Sequence, residues 1–289
     1  MAAEPPVRVR TLATGNGRIG YLDSGDLDRS DNSGGLPPLV MLHACGTGAR
    51  PLRPLAVALA AKRRVICPDF DGYGDTAIGT DPDNALQRHR RVLTTLLAEL
   101  HLDRFDLLGH SMGGFIALTA TADGDIRPRR LILAEPTLFG LLDETVPEQA
   151  KAKALDRDVT HELVDAVAAG EPERGLSGFM RLWNDARWEA LPPELRGRLV
   201  ALAPQLAAEA ELVCADATPA RAYADIACPL LLLQGEHAPP PIAALLPVLS
   251  RTLPLARLQH IDGVGHMGPL TSPKRFAALI DSFLDETSP

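Results

Sequence analysis

The sequence predicts an α/β protein in which helices cover both faces of a mostly parallel sheet of eight strands. Two observations support this fold class. Short apolar runs such as LILA (131–134) and LLLL (230–233) are continuous rather than alternating, which is typical of strands buried on both faces. These runs also alternate along the chain with longer stretches of helical periodicity, and that alternation indicates a doubly wound sheet.

Eight strands are predicted from short runs rich in valine, isoleucine and leucine. They span Val7–Leu12, Arg18–Leu22, Pro38–His43, Arg64–Pro68, Phe105–Gly109, Arg130–Ala134, Pro229–Gln234 and Ala256–Ile261. The first two flank a tight Gly-Asn-Gly turn and are expected to form an antiparallel hairpin at one edge. The predicted helices of the sheet domain span Leu52–Ala61, Asp83–Leu100, Met112–Ala122, Pro241–Thr252 and Pro273–Asp285.

One long segment interrupts the alternation of strands and helices. Between residues 136 and 225 we find no strand pattern, only helical patterns punctuated by proline and glycine, and this segment holds both tryptophans. A helical insertion after a strand forms a natural lid over a site at the strand ends. We therefore expect a core domain of residues 1–135 and 226–289 and a helical cap of residues 136–225.

Composition excludes several classes of function. The net charge of −8 opposes binding to phosphate backbones, so nucleic acid is not an expected partner. No apolar run approaches the roughly 18 residues of a membrane span, and the N-terminus lacks a signal-peptide core, so we expect a cytoplasmic protein without membrane contact. Metal-ligand spacing and nucleotide-binding motifs are missing, so no metal or cofactor is expected. A small-molecule substrate is the expected partner, and the choice between monomer and homodimer stays open.

The segment FDLLGHSMGG, residues 105–114, carries most of the functional information. It predicts a buried strand, a sharp turn and a helix, and its centre fits the G-x-S-x-G nucleophile elbow. Glycines two residues before and after Ser111 let neighbouring backbone pass without a Cβ clash. The helix that follows directs its N–H groups toward the same point. A serine N-cap at a glycine-rich helix entry is the alternative, and the strand–turn–helix context favours Ser111 as a nucleophile.

With this motif in place, the sequence resembles the α/β-hydrolase superfamily nearly from end to end. The resemblance is strongest at HACGTG (43–48), GYGDT (72–76), GHSMGG (109–114), CPLLLLQGE (228–236) and GHMGPLTSP (265–273). It implies the α/β-hydrolase fold, with a cap between the sixth and seventh strands. It also implies that His266 is the general base, and that the backbone N–H groups of Cys45 and Met112 form an oxyanion hole.

The acid of the triad departs from the usual pattern of the superfamily. The usual aspartate stands three residues after the glycine that ends the seventh strand, and here that residue is Ala238. Glu135, at the end of the neighbouring sixth strand, is our preferred substitute, as in certain haloalkane dehalogenases. Glu236 and Asp262 are the competing carboxylates, and Glu135 could instead cap a helix of the lid.

The residues expected to contact substrate lie next to the oxyanion motif, in the cap and beside the base. They are His43, Ala44, Phe139, Phe179, Trp183, Trp188 and Met267. For the apolar cap residues, a role in the cap's own hydrophobic core is an equal alternative. Other histidines, including His89, are expected to be solvated.

The function that these features indicate is a serine hydrolase acting on a small carboxylic ester, thioester or lactone through an acyl-serine intermediate. A carbon–carbon bond hydrolase or lyase using the same triad is one alternative. A non-catalytic ligand-binding protein on a hydrolase scaffold is another, because fold alone does not give function. Haloalkane dehalogenase and epoxide hydrolase chemistry is disfavoured, since those enzymes need a carboxylate nucleophile where Ser111 stands.

Overall fold

The computed structural model describes residues 7–15, 17–25, 36–78, 84–184 and 186–286, and one sheet runs through its centre. The main strands are β1 Arg8–Thr14, β2 Gly17–Asp23, β3 Leu39–Leu42, β4 Val65–Pro68, β5 Asp106–His110, β6 Leu131–Ala134, β7 Leu230–His237 and β8 Ala256–Gly265. Their order is β1-β2-β4-β3-β5-β6-β7-β8. The six strands β3 to β8 are parallel to one another, whereas β2 runs antiparallel to both β1 and β4.

The predicted mostly parallel sheet is therefore confirmed, with one addition. A two-residue strand, Ala77–Ile78, pairs with β2, and two residues are too few to show a periodic pattern. The turn between β1 and β2 includes residue 16, which lies outside the described residues. Every residue of β3, β4, β5 and β6 is buried, as the continuous apolar runs indicated.

Helices cover the sheet on both faces. They are α1 Arg53–Leu59, α2 Ala85–Glu99, α3 Met112–Ala122, α4 Pro147–Ala168, α5 Pro172–Asn184, α6 Pro193–Cys214, α7 Pro240–Thr252, α8 Gly268–Thr271 and α9 Pro273–Asp285. Along β3, Val40 and Leu42 join the hydrophobic cluster that contains α2, α3 and α7, and the alternate residues Leu39 and Met41 join the cluster of α1 and α9. This alternation produces a three-layer arrangement of helix, sheet and helix.

The helix boundaries follow local signals. α3 and α9 begin and end where the sequence predicts. α1 begins one residue later than predicted because a 3₁₀ turn, Arg50–Leu52, precedes it, and it ends two residues earlier, at Leu59. The predicted first residue of α2, Asp83, lies outside the described residues. α2 begins at Ala85, where the side chains of Asn84 and Gln87 form a reciprocal capping box.

The segment between β6 and β7 contains α4, α5 and α6. Short 3₁₀ turns precede α4 (Phe139–Leu141), separate α5 from α6 (Trp188–Ala190) and follow α6 (Ala220–Tyr223). These three helices have a hydrophobic cluster of their own, which includes Leu163, Leu176, Met180 and Leu206. No helix in the described ranges is both long and apolar enough to cross a membrane.

The close approach of β5 to α3 predicts a large difference between two glycine-to-alanine substitutions. A Cβ on Gly109 would lie 2.6 Å from the Cα of Gly114 and still closer to a backbone oxygen. We expect Gly109→Ala to lower the free energy of unfolding by about 1–3 kcal/mol or more, because backbone atoms cannot move aside. The matched control is Gly197→Ala in α6, where no atom lies within 4 Å of the added carbon.

Gly197→Ala is expected to raise stability by about 0.5–1 kcal/mol through the higher helix propensity of alanine. Urea unfolding of both variants measures the two changes. Equal urea midpoints for Gly109→Ala and the wild type would contradict the predicted clash.

Candidate active site

Ser111 occupies the sharp turn between β5 and α3. Its backbone has φ 54° and ψ −120°, an unfavourable conformation for a residue with a side chain that costs about 1–3 kcal/mol. Gly113 is required nearby, because a Cβ there would lie 2.7 Å from the carbonyl oxygen of His43. The strained turn presents Ser111 Oγ at the carboxyl end of the sheet, as the elbow motif predicts.

Three side chains from three different strand ends form one continuous set of hydrogen bonds. His266 Nε2 lies 3.0 Å from Ser111 Oγ, and His266 Nδ1 lies 2.8 Å from Glu135 Oε2. A carboxylate can only accept, so Nδ1–H donates to Glu135 and Nε2 is left to accept from the serine hydroxyl. Ser111, Glu135 and His266 are all buried, which strengthens the electrostatic interaction between them.

Glu135 is held in place by the neighbouring strand β7. Its φ of 48° is also left-handed, and its second carboxylate oxygen accepts a 2.7 Å hydrogen bond from the N–H of Gly235 in β7. A Cβ on Gly235 would lie 3.2 Å from that oxygen and closer still to the backbone of Val264. Glycine at position 235 therefore leaves the space through which the carboxylate reaches the histidine.

The competing carboxylates lie elsewhere. Glu236 is exposed and accepts a hydrogen bond from the N–H of Gly263. Asp262 is also exposed, and its carbonyl oxygen accepts from Arg275. Among the three carboxylates weighed from the sequence, Glu135 is the one that meets His266.

His110 positions the histidine loop. It is fully buried, and its Nε2–H donates a 2.8 Å hydrogen bond to the carbonyl oxygen of His266. Burial and the nearby His266 lower the pKa of His110 to about 3, so it stays neutral. The indole of Trp183 packs on the same histidine, with ring centroids 5.2 Å apart. The loop that carries His266 is thus held by the His110 hydrogen bond and covered by Trp183 of α5.

The peptide between Ala44 and Cys45 has a fixed orientation. The Ala44 carbonyl accepts from His43 Nδ1–H at 2.8 Å and from Thr47 Oγ1 at 2.9 Å. The N–H of Cys45 belongs to the same planar, trans peptide and therefore points the opposite way. Ala44, which replaces the usual glycine, does not have a positive φ, so its methyl group causes no backbone strain.

The prediction that His43 contacts substrate is wrong. His43 is fully buried behind the loop, and its Nε2 accepts a 3.0 Å hydrogen bond from the N–H of Phe70. Burial lowers the pKa of His43 to about 4. Its neutral imidazole orients the Ala44 carbonyl and does not reach the cavity.

A buried carboxylate on α6 connects the helical segment to this loop. Glu209 is fully buried and accepts from four side chains. The donors are Cys45 Sγ at 3.0 Å, Tyr73 Oη at 2.7 Å, His89 Nε2 at 2.9 Å and Gln205 Nε2 at 2.8 Å. Tyr73 Oη also accepts from the N–H of Gly46. The expectation that His89 is solvated is therefore wrong, because α2 turns it inward toward Glu209.

A narrow cavity of about 50 Å³ contacts the serine and the histidine. Of the expected substrate-contacting residues, Ala44, Phe139, Phe179, Trp183 and Met267 line it, together with Cys45 and Met112. Trp188 does not, and its predicted contact with substrate is wrong. It packs in the cluster of α4, α5 and α6, and its indole N–H donates to Glu173.

Sequence reasoning missed the polar lining of the cavity. Thr137, Asp156, Thr160, Asn184 and Glu209 contribute to its walls. Asp156 and Thr160 are four residues apart and share one face of α4. That spacing is visible in the sequence, but without the rotation of the helix nothing distinguishes it from an exposed face.

Comparison with known proteins shows the family of the chain. The model of the alpha/beta hydrolase family matches residues 39–279. The chain belongs to the alpha/beta hydrolase family. Pimeloyl-[acyl-carrier protein] methyl ester esterase of Aromatoleum aromaticum is 31% identical over 255 residues, covering 85% of this chain and 97% of the esterase. Haloalkane dehalogenase 2 of Mycobacterium bovis is 24% identical over 285 residues, covering 95% and 94%.

A solved structure gives the same fold. A hydrolase from Pseudomonas aeruginosa PA01 superposes with a TM-score of 0.70 at 24% identity, covering 96% of this chain and 98% of that chain. As a member of the alpha/beta hydrolase family, the protein is a hydrolase. Relatives as different as an esterase and a dehalogenase show that the family includes several reactions, so the chemistry has to be argued from the site.

The Glu209 network predicts a pH-dependent contribution to stability. Burial alone would raise the pKa of Glu209, but hydrogen bonds from His89, Tyr73 and Cys45 outweigh it and hold the pKa below the ordinary value of 4.5. A lowered pKa in the folded state stabilises the protein above that value, and the contribution is lost as pH falls through the folded pKa. We expect Glu209→Gln to lower the free energy of unfolding at neutral pH by about 2–4 kcal/mol.

Urea unfolding at several pH values tests this, with Glu211→Gln as the control because Glu211 is exposed on the same helix. The loss of unfolding free energy in Glu209→Gln, relative to the wild type, is expected to be largest near neutral pH and to become smaller below pH 4.5. A deficit that is the same at every pH would contradict a role for the ionised carboxylate.

Proposed function

We propose that this protein is a serine hydrolase that cleaves a small carboxylic ester, thioester or lactone through an acyl-serine intermediate. One observation carries the proposal, namely the hydrogen-bonded set of Ser111, His266 and Glu135 at a nucleophile elbow that opens onto a cavity. This arrangement has the geometric roles of nucleophile, general base and orienting acid.

The first half-reaction forms the acyl-serine. His266 Nε2 takes the hydroxyl proton as Ser111 Oγ attacks the substrate carbonyl carbon. Glu135 keeps Nδ1 protonated and stabilises the resulting imidazolium, and the Trp183 ring, 5.2 Å away, adds a favourable cation–π contact. His266 then gives the proton to the leaving alcohol, thiol or hydroxyl as the carbonyl re-forms.

The second half-reaction releases the acid. His266 removes a proton from water, the hydroxide adds to the acyl carbon, and the proton returns to Ser111 as the acid leaves. In both halves the backbone N–H groups of Cys45 and Met112 bind the oxyanion, and each such donor contributes about 3 kcal/mol to acyl transfer. Met112 supports this assignment because it is the first residue of α3, where an N–H has no partner within the helix.

The helical segment 136–225 serves in this proposal as a cap. It contributes Phe139, Phe179 and Trp183 to the cavity wall and thereby limits access of water to the acyl-serine. The cavity of about 50 Å³ is much smaller than the roughly 150 Å³ that holds a benzene ring. The cavity therefore favours a substrate with a short acyl group.

The similarity to the pimeloyl esterase supports ester chemistry, since the name of that relative specifies a methyl ester. The similarity to haloalkane dehalogenase 2 supports the fold but not its reaction. In that chemistry a carboxylate nucleophile stands where this chain has Ser111.

Covalent labelling tests the nucleophile. We expect a fluorophosphonate to form one adduct, located on Ser111 by mass spectrometry, and Ser111→Ala to abolish it. A protein that hydrolyses no short-chain ester and forms no adduct would instead fit a ligand-binding protein, and the proposed function would then be rejected.

The acid is tested by a matched pair of charge-removing substitutions. Glu135→Gln is expected to lower kcat/KM for a short 4-nitrophenyl ester by about 10²–10⁴-fold, because the imidazolium loses its stabilising carboxylate. The control is Glu236→Gln, an exposed residue one position beyond Gly235, which should change the rate by no more than about twofold. Similar rates for the two variants would exclude Glu135 as the acid.

A further inference from the structure

The buried stripe of α4 contains two polar residues where apolar ones would pack. It consists of Ala152, Asp156, Thr160, Leu163 and Ala166. The two polar members are one helical turn apart and line the same cavity as Ser111 and His266. A helix that only covered the site would gain stability from leucine or valine at both positions.

Among the described residues, Asp156 has no cationic partner. It is 5% exposed, and the contact that accompanies its burial is a hydrogen bond from the thiol of Cys214. Of the cations near it on α4, Lys153 pairs with Glu144 at 2.9 Å, and Arg157 is exposed. Within the described part of the chain, no lysine or arginine lines the cavity.

Burying an uncompensated carboxylate is unfavourable. Burial raises the pKa of Asp156 to about 7, and a positively charged ligand would reverse that effect. A second polar group in the wall has no partner either, since Thr137 is 7% exposed and its Oγ1 makes no hydrogen bond in the described structure. Both observations indicate a polar ligand that supplies a positive charge near Asp156 and a hydrogen-bond partner for Thr137.

We propose that Asp156 binds a positively charged nitrogen of the substrate, so that the preferred substrate is an ester, thioester or lactone carrying a primary or secondary ammonium group. This substrate class rests on the proposed function, although ammonium binding itself requires no catalysis. An ammonium group supplies two or three N–H donors, which suits one carboxylate and the threonine hydroxyls of the wall. Asp156 together with Glu209 also disfavours a carboxylate-bearing substrate.

Calorimetry with three small probes tests the binding directly in the whole protein. At a pH above the pKa of Asp156, we expect n-butylammonium to bind at least about tenfold more tightly than 1-butanol, and butanoate to bind more weakly than either. Asp156→Asn should remove the preference for n-butylammonium. Asp158→Asn should keep it, because Asp158 is exposed on the same helix and its substitution changes the net charge equally.

The inference fails if the wild-type protein binds n-butylammonium no better than 1-butanol, a result that needs no variant to fold. It also fails if a folded Asp156→Asn protein keeps the preference. Circular dichroism melting of Asp156→Asn beside Asp158→Asn establishes that the variants are folded.

Matched esters extend the test to turnover. 4-Nitrophenyl 3-aminopropanoate and 4-nitrophenyl butanoate differ in whether the chain ends in an ammonium or a methyl group. We expect the wild-type protein to have the lower KM for the ammonium ester, and the KM values for the two esters to become similar in Asp156→Asn. A lower KM for the butanoate in the wild-type protein would overturn the inference.

The two proposals fail in distinguishable ways. Hydrolysis of the butanoate and labelling of Ser111, without an ammonium preference in calorimetry, would leave the proposed function standing and reject the role of Asp156. An ammonium preference that depends on Asp156, with Ser111 unreactive, would reject the proposed function and retain the binding site.

Discussion

The geometry of the site depends on two hydrogen bonds that the Glu135 carboxylate accepts. One oxygen accepts from His266, and the other accepts from the N–H of Gly235. The same group therefore fixes the imidazole and joins the ends of β6 and β7. Because the carboxylate cannot donate, it also sets the tautomer in which the imidazole faces Ser111. Without this carboxylate the buried imidazole would lose the hydrogen-bond acceptor of its Nδ1–H.

This arrangement requires two residues in unfavourable backbone conformations, Ser111 with φ 54° and Glu135 with φ 48°. Both follow directly after the last residue of a fully buried strand, β5 and β6 respectively. The hydrogen-bonded ladder and the apolar packing of those strands outweigh the local cost of about 1–3 kcal/mol each. The sheet thus supplies the stability that lets two adjacent strand ends present side chains toward one point, as open α/β sheets generally do at their carboxyl edge.

The sheet and the helices that cover it were largely predictable from the sequence, and the packing of the helical segment 136–225 was not. Continuous apolar runs locate strands buried on both faces, and the elbow motif places Ser111 at a strand–helix turn, because both signals are local. Glu135 could be predicted because parallel strands end at a common edge. His43 and His89 were misplaced because their environments come from distant segments, Phe70 and Glu209. Trp188 was misplaced because periodicity does not show which face of each helix in segment 136–225 packs on the other helices and which face packs on the rest of the protein.

In the described part of the helical segment, two carboxylates are buried. The sequence alone does not distinguish them, but their surroundings do. Glu209 accepts from four donors, three of which come from the loop and helix of the core. Such full satisfaction is typical of a carboxylate that fixes one arrangement of two parts of a protein. Asp156 accepts a hydrogen bond from the Cys214 thiol. Lys153 lies three residues away on the same helix but pairs with Glu144. A carboxylate with a purely structural role would be expected to take that lysine as its partner. Asp156 lies in the wall of the cavity without a cationic partner among the described residues. This is the physical reason to assign it a role in ligand binding rather than in the fold.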